Sequence, residues 1–440
     1  MAGEAGGESS RERVDASRFK APIGTRDVLP PETDRWQALV ATFAQRASRF
    51  GFDLVVTPVF EHIEVFQRVG ESTDVVRKEM YEFEDKGGRR LALRPEGTAS
   101  VVRAFVQHRP PVPWKVWYLA PHFRYERPQK GRYRQHWQVG VEVLGVEDPE
   151  VDVEVISLAA GFYRELGLSR VKLVLNSMGD MADRAVYVGK LREHLLTHGG
   201  ALGDDFHERV AQNPLRVLDS KRPDWQDVID RAPQITEYLG DVSRGHFERV
   251  QSGLDRLGIA YELDPRLVRG FDYYTSTTFE FLPDLVEAAQ TSVGGGGRYD
   301  QLAEQLGGPP TAGIGFGVGI ERVLIACDAE GVFSDSPPRV DAFVVNGLGA
   351  DAGTTVTQVV AELREDGLRT GRTYGDRSVK AQWKAADKSG AAFGVMLGAR
   401  EAEHGAVAVK DLRTGEQVEV PRGQLAGWLQ ARREEEEGTR

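Results

Sequence analysis

From Pro31 onward the apolar residues Trp36, Leu39, Val40, Phe43, Ala47 and Phe50 recur at a helical period, and Gly51 stands where that helix would end. LVVTPVF (54–60) then reads as a strand, and its Pro58, unable to donate to a ladder, predicts an edge or interface position. KVWYLAP (115–121) and WQVGVEVLG (137–145) are further strands, joined as a hairpin by the polar loop between them. Residues 181–255 carry helical patterning around a polar middle and are read as an insertion. TSTTFEF (275–281) returns to strand alternation. FSDSPPR (333–339) has the composition of a linker. Beyond it DAFVVNG, a helix near 354–366 and FGVMLG (393–398) alternate strand and helix, which predicts a small α/β domain. Residues 1–17 are expected to be a disordered tail, and 426–440 a charged, solvated one. Between them lie a domain over 18–330, a linker over 331–338 and a second domain over 339–425.

Composition narrows the class. A length of 440 residues fits roughly three domains of about 150. No run of 18 apolar residues exists, so no membrane-spanning helix is expected, and the N-terminus lacks the apolar core of a signal peptide. Cys327 is the only cysteine. That excludes an internal disulfide and a multi-cysteine metal site, and it fits a reducing cytoplasm. The formal net charge of -11 argues against a protein that coats nucleic acid. Yet FRYERPQKGRYRQHWQ (123–138) concentrates Arg124, Arg127, Lys130, Arg132 and Arg134 in one hairpin loop. Cations interleaved with Phe123, Tyr125, Tyr133 and Trp137 suit a polyanion carrying bases to stack on. Taken alone, such a run is more often solvated surface.

Three other stretches carry candidate chemistry. On the second hairpin strand, alternation puts Trp137, Val139, Val141 and Val143 on a core face. Gln138, Gly140 and Glu142 then share the other face, two polar groups flanking an open space above a glycine. In LALRPEGTAS (91–100), Glu96 and Thr98 around Gly97 could hold an ammonium group, or could simply cap a helix. In LVRGFDYYTSTTFEF (267–281), Arg269, Tyr273 and Tyr274 lead into a strand, and alternation would let at most one tyrosine face the core. GGGGRYDQL (294–302) and AGIGFGVGIERVL (312–324) offer glycines for close backbone approach to a ligand, and deliver Glu321 and Arg322 into a helix. The second is neither a Walker loop nor a dinucleotide fingerprint.

Together these segments resemble class II aminoacyl-tRNA synthetases and, within them, the histidyl-tRNA synthetases, from about Ile23 to Leu425. Pro58 stands at the motif 1 proline of a dimer interface. FRYERPQKGRYRQHWQ is similar to motif 2, with Arg124 as its arginine, and GIGFGVGIERVL to motif 3, with Arg322 as its arginine. LRPEGT, Q-x-G-x-E (138–142) and RGFDYY match the histidine enzyme, with Phe271 in place of a leucine. NPLRVLDSK (213–221) resembles part of the bacterial insertion domain. The resemblance implies an α+β fold: an antiparallel catalytic sheet flanked by helices, a helical insertion, and a C-terminal α/β anticodon-binding domain. It implies a cytoplasmic homodimer using ATP, Mg²⁺, L-histidine and tRNA(His).

By the same resemblance, Arg269 and Arg124 are catalytic, acting at the α-phosphate. Arg124, Glu126, Gln138, Arg269 and Arg322 bind ATP. Glu96, Gly97, Thr98, Gln138, Glu142, Tyr273 and Tyr274 bind histidine. Arg127, Lys130, Arg132 and Arg134 face the tRNA acceptor end, and Lys380 and Lys384 its anticodon arm. The two lysines lie with Lys388 on one helix stripe, and Val379, Trp383 and Ala386 on the buried one. No resident metal is expected in the protein itself. The alternative is a catalytically inactive, histidine-sensing regulatory paralogue of ATP phosphoribosyltransferase. Such paralogues usually lose the RG-x-DYY segment and the C-terminal domain, and both are present here.

Overall fold

The computed structural model describes residues 19–70, 73–268, 270, 273–284, 292–334, 340–349 and 352–439. The expected N-terminal tail and Arg269 therefore lie outside the described residues, as do Phe271 and residues 335–338 of the linker. The chain forms two compact units, Met1–Ser334 and Asp335–Arg440.

In the first unit the strands are β1 (Asp53–Leu54), β2 (Phe60–His62), β3 (Tyr81–Glu84), β4 (Arg90–Leu93), β5 (Trp114–Phe123), β6 (Gln135–Leu144), β7 (Val171–Ser177), β8 (Glu262–Leu263), β9 (Thr275–Pro283), β10 (Gly294–Arg298) and β11 (Gly313–Gly319). Eight of them form one sheet in the order β1-β5-β6-β11-β10-β9-β7-β8, antiparallel except for the outermost pairs. β2, β4 and β3 make a small separate sheet. One face of the large sheet is the core. Val139, Val141 and Val143 meet Ile314, Phe316, Val318, Phe279 and Phe281 there, under the helices Glu32–Arg49 and Glu150–Glu165. Leu39, Phe43 and Ala47 of the first helix are fully buried, as its period predicts, and Gly51 follows with φ +76.

Two sequence expectations change. LVVTPVF is not one strand: pairing stops after Leu54, resumes at Phe60, and leaves Pro58 between the two ladders. Pro58 cannot donate, and Arg94 instead fixes this stretch by donating to the carbonyls of Thr57 (3.2 Å) and Pro58 (3.3 Å). Two of the four glycines of β10, Gly294 and Gly296, serve the chain rather than open space. A Cβ on Gly294 would lie 2.4 Å from the Tyr163 hydroxyl, and one on Gly296 1.9 Å from the Gly315 carbonyl.

The insertion is built from helices Met181–His198, Asp204–Gln212, Leu215–Leu218, Gln226–Asp230 and Asp241–Arg256. Most of these pack on a core of their own around Tyr187, Leu191, Phe206, Val217 and Trp225.

The second unit has a sheet of β12 (Ala342–Asn346), β13 (Thr370–Arg372), β14 (Phe393–Leu397), β15 (Ala406–Asp411) and β16 (Gln417–Pro421), in the order β13-β12-β14-β15-β16. The first three are parallel, as strand–helix alternation requires. The β15–β16 pair is an antiparallel hairpin that the sequence reading did not separate. The C-terminal segment, expected as a tail from 426, begins instead as a packed helix, Leu425–Thr439. Leu429 is 1% exposed, and Trp428 meets Phe393 edge to face at 5.6 Å. Among the described residues no helix is long and apolar enough to cross a membrane.

Candidate active site

The face of the large sheet opposite the core is nearly bare of side chains on its middle strands. Register lines up Glu142 with Gly315 and Gly297, Gly140 with Gly317 and Gly295, and Gln138 with Gly319. The bare strip lets long side chains from the edges lie flat across it. Glu142 covers Gly315, where a Cβ would sit 1.8 Å from its carboxylate, and Gln138 reaches over Gly317. The space above Gly140 is not open, contrary to the sequence reading. The Tyr118 hydroxyl fills it, 2.4 Å from where a Cβ would be, and the same ring lies against Gly97.

One end of this floor gathers carboxyls and phenols. Glu142 is wholly buried. Thr98 donates to one of its oxygens at 2.8 Å and the Tyr299 hydroxyl to the other. Glu96 caps the helix Thr98–His108, accepting from the amides of Thr98 and Ala99 at 2.7 Å each. Burial pushes Glu142 up to about 8, against the pull of its two hydroxyl donors and with a further push from Glu96. Burial raises Glu96 as well, although the helix amides oppose it. Tyr273 and Tyr274 are both buried, with ring centroids 4.7 Å apart. Alternation does not apply to them, because β9 begins only at Thr275 and both tyrosines precede it.

The other end gathers cations. Arg124 and Glu126 lie just past the end of β5 and form an ion pair at 3.8 Å. Arg132 also pairs with Glu126. Arg322 donates to the carbonyls of Gly131 and Ser292, at 3.1 Å each. Its pKa is lowered by burial first, then by the like charges of Arg132 and Arg124. Burial, Arg124 and Arg322 push His136 down to about 3, and its cross-strand neighbour His122 is held neutral by burial and by His136. Three guanidinium groups share the Glu126 carboxylate here, and a cationic cluster of this kind is a setting in which a phosphate is bound.

The hairpin loop divides. Arg134 is fixed against the chain, 3.8 Å over the Tyr125 ring and donating to the Glu126 carbonyl, and Arg132 is tied to Glu126. Arg127 and Lys130 are exposed. In the second unit Lys380, Lys384 and Lys388 are exposed along the helix Val379–Ser389. The buried stripe is corrected at one position: Val379 is 38% exposed, and Gln382 is buried in its place. The Gln382 amide bonds to both the N–H and the carbonyl of Asn346, which makes burial of a polar side chain tolerable.

Sequence reasoning missed Tyr118, Tyr299 and Arg94. Alternation from Gly295 and Gly297 places Tyr299 on the open face, and the β5 alternation places Tyr118 there with Val116 and Ala120, so that signal was available. Arg94 gave none, since its carbonyl partners become neighbours only in the fold.

Comparison with known proteins agrees with this geometry. The family model described as histidyl-tRNA synthetase matches residues 24–197 and 202–323, and one described as an anticodon binding domain matches 342–432. The histidine–tRNA ligase of Rhodococcus erythropolis is 48% identical over 418 residues, covering 94% of this chain and 98% of that protein. That of Geobacillus kaustophilus is 47% identical over 425 residues, covering 95% and 100%. The crystal structure of apo Staphylococcus aureus histidyl-tRNA synthetase superposes with a TM-score of 0.79 at 37% identity, over 93% of this chain and 99% of that one. With a bare-floored sheet of this kind and near full-length identity to such relatives, the chain belongs to the histidyl-tRNA synthetase family of class II aminoacyl-tRNA synthetases.

Proposed function

We propose that this chain attaches L-histidine to tRNA(His) in two steps, through histidyl-adenylate, with AMP and diphosphate as the other products. The observation that carries the reading is the polarity of one floor: carboxyls and phenols whose burial disfavours charge at one end, and a cluster of guanidinium groups at the other. A histidine laid along it puts its imidazole among Glu142, Tyr273 and Tyr274, and its carboxylate toward Arg124. The α-carboxyl is ionised at neutral pH, with a pKa of roughly 3.5, so its attack on the α-phosphorus needs no base. Positioning and positive charge are what the site must supply.

Arg124 and Arg269 serve the α-phosphate in this reading, and Arg322 the γ-phosphate. Glu96 and Thr98 receive the α-amino group. Both Glu96 oxygens already accept helix amides, but a carboxylate offers about four acceptor sites. Gln138 lies between the two ends and is assigned to both ligands. Glu142 and the tyrosines can read both edges of an imidazole, which has one donor and one acceptor when neutral.

Among the described residues no group of three metal-binding side chains exists. Mg²⁺ would therefore enter with the nucleotide. Glu126 and Glu280, both close enough to Arg322 to act on its charge, are hard oxygen donors that fit this role. Such an ion neutralises charge on the β- and γ-phosphates. The exposed loop cations Arg127 and Lys130 are assigned to the tRNA acceptor end, and Lys380 and Lys384 to the anticodon arm. Leu54, Val56, Val59 and Phe60 are 55%, 82%, 40% and 48% exposed around Pro58, an apolar edge that supports a homodimer. Cytoplasmic residence belongs to the same proposal.

Histidine-dependent exchange of pyrophosphate into ATP tests the reading. Exchange that requires histidine is expected; its absence in folded protein would favour a histidine sensor.

A further inference from the structure

The segment Asp264–Tyr274 carries Arg269, Tyr273 and Tyr274, and its described residues belong to no strand. Several of its carbonyls accept from side chains. Asn176, at the end of β7, donates to Pro265 (3.3 Å) and Leu267 (3.1 Å). Further ties come from the helical insertion. Asp230 pairs with Arg266 at 2.7 Å, and Val268 packs against the insertion core. Arg216 donates to the carbonyl of Gly270 at 2.5 Å, and Arg184 to that of Tyr274 at 3.2 Å. Both arginines are far away in sequence, 54 and 90 residues from their acceptors.

The local build explains why Arg216 is available. In NPLRVLDSK, Pro214 opens the short helix Leu215–Leu218. Leu215, Val217 and Leu218 are at most 6% exposed, whereas Arg216 points away from that core toward Gly270. Arg184 stands in the first turns of Met181–His198, just after Gly179 accepts the Ser276 amide at 2.8 Å. Two guanidinium groups on two different insertion helices thus grip the carbonyls immediately after Arg269 and at Tyr274. A carbonyl held by a cationic donor makes one of the stronger hydrogen bonds available to a backbone, and an arginine fork fixes direction where a lysine would not.

We infer that Arg216 and Arg184 are positioning residues for adenylate formation, and that the insertion sets the geometry of the active-site segment it grips. The inference rests on the proposed function, because it gives Arg269 and the tyrosines their task. Neither arginine touches substrate in this account. They act by fixing the backbone on either side of groups that do.

The test uses the full chain. Arg216→Ala should lower kcat for histidine-dependent pyrophosphate exchange roughly tenfold or more. ATP KM and the melting midpoint should hold, as for other surface substitutions. Arg216→Lys should recover part of the loss. A purely structural role would not produce the second readout. In an Arg269→Ala background, measured by single turnover, Arg216→Ala should cost little further, because the two act as one unit. Exchange within about twofold of the parent, or a loss that adds fully to that of Arg269→Ala, overturns the inference. Should Arg216→Ala lower the melting midpoint, Arg184→Ala carries the same test, and an unchanged kcat there overturns it. A folded parent chain without exchange overturns the proposed function as well. A parent with full exchange and an indifferent Arg216→Ala overturns this inference alone.

Discussion

The two ends of the sheet floor respond to burial in opposite ways. At the Glu142 end the low-dielectric surroundings push carboxyls toward their neutral forms, and local hydroxyls and helix amides occupy them. That end is satisfied before any ligand arrives. At the Arg322 end burial cannot neutralise guanidinium groups, so Arg124, Arg132 and Arg322 remain charged and repel one another, and His136 and His122 give up their protons. That end gathers three guanidinium groups around Glu126 and suits an anionic ligand. The contrast teaches that one end recognises by shape and paired hydrogen bonds, the other by stored electrostatic demand.

The largest effect should come from breaking the cationic end. Arg124→Ala removes a charge aimed at the reacting phosphorus, worth about 3 to 4 kcal/mol, so exchange should fall about 10²- to 10³-fold with the fold intact. Exchange within tenfold of the parent would remove Arg124 from the reaction.

Next comes the neutral end. Glu142→Gln keeps the shape but removes a group that can accept or donate a proton, so histidine KM should rise roughly ten- to a hundredfold while ATP KM holds. An unchanged histidine KM would make Glu142 structural.

The same substitution sharpens the comparison through stability. The folded protein holds a proton on Glu142 that the unfolded chain loses above about pH 4.3, so stability falls as pH rises from there toward 8. His136 has the opposite sign, its lowered pKa making stability rise between about pH 3 and 6.5. Glu142→Gln should therefore gain on the parent in unfolding free energy as pH rises to 8, by an amount on the order of a few kcal/mol. Parallel pH profiles for the two proteins would mean that Glu142 is ionised throughout.

The smallest effect should lie outside both ends. Lys380→Ala with Lys384→Ala should raise tRNA KM and flatten its dependence on salt by about one unit of log–log slope per lost phosphate contact. Pyrophosphate exchange without tRNA should not change. An unaltered tRNA KM and slope would place the lysine stripe in solvent.

Much of this was legible in the sequence because it is periodic. The helix Glu32–Arg49, the β5–β6 hairpin and the core face of β6 follow from spacings of 3.6 and 2, and the glycine-rich strands announced a face without side chains. What escaped depends on contacts distant in the chain. Tyr118 fills the space above Gly140 only because β5 lies beside β6 in that register. The buried tyrosine pair defied alternation because both residues precede the strand, which starts at Thr275. Val379 and Gln382 exchanged places because a buried amide found partners on the backbone of Asn346 and Arg377. The demand for an anion at Arg322 was invisible to composition, since it arises from three arginines brought together from the hairpin loop and a helix 184 residues beyond Trp137, where Glu321 accepts the Trp137 amide.

The most direct test of the two-ended floor is a thermal shift with each ligand alone. Pyrophosphate should raise the melting midpoint of the parent and of Glu142→Gln equally, and should do so far less in Arg322→Ala, because the cationic end is where this anion would bind. Histidine should show the reverse ranking, stabilising Arg322→Ala like the parent and Glu142→Gln little. If both variants lose both responses equally, or if pyrophosphate fails to stabilise the parent, the floor does not have two independent ends and the account is wrong.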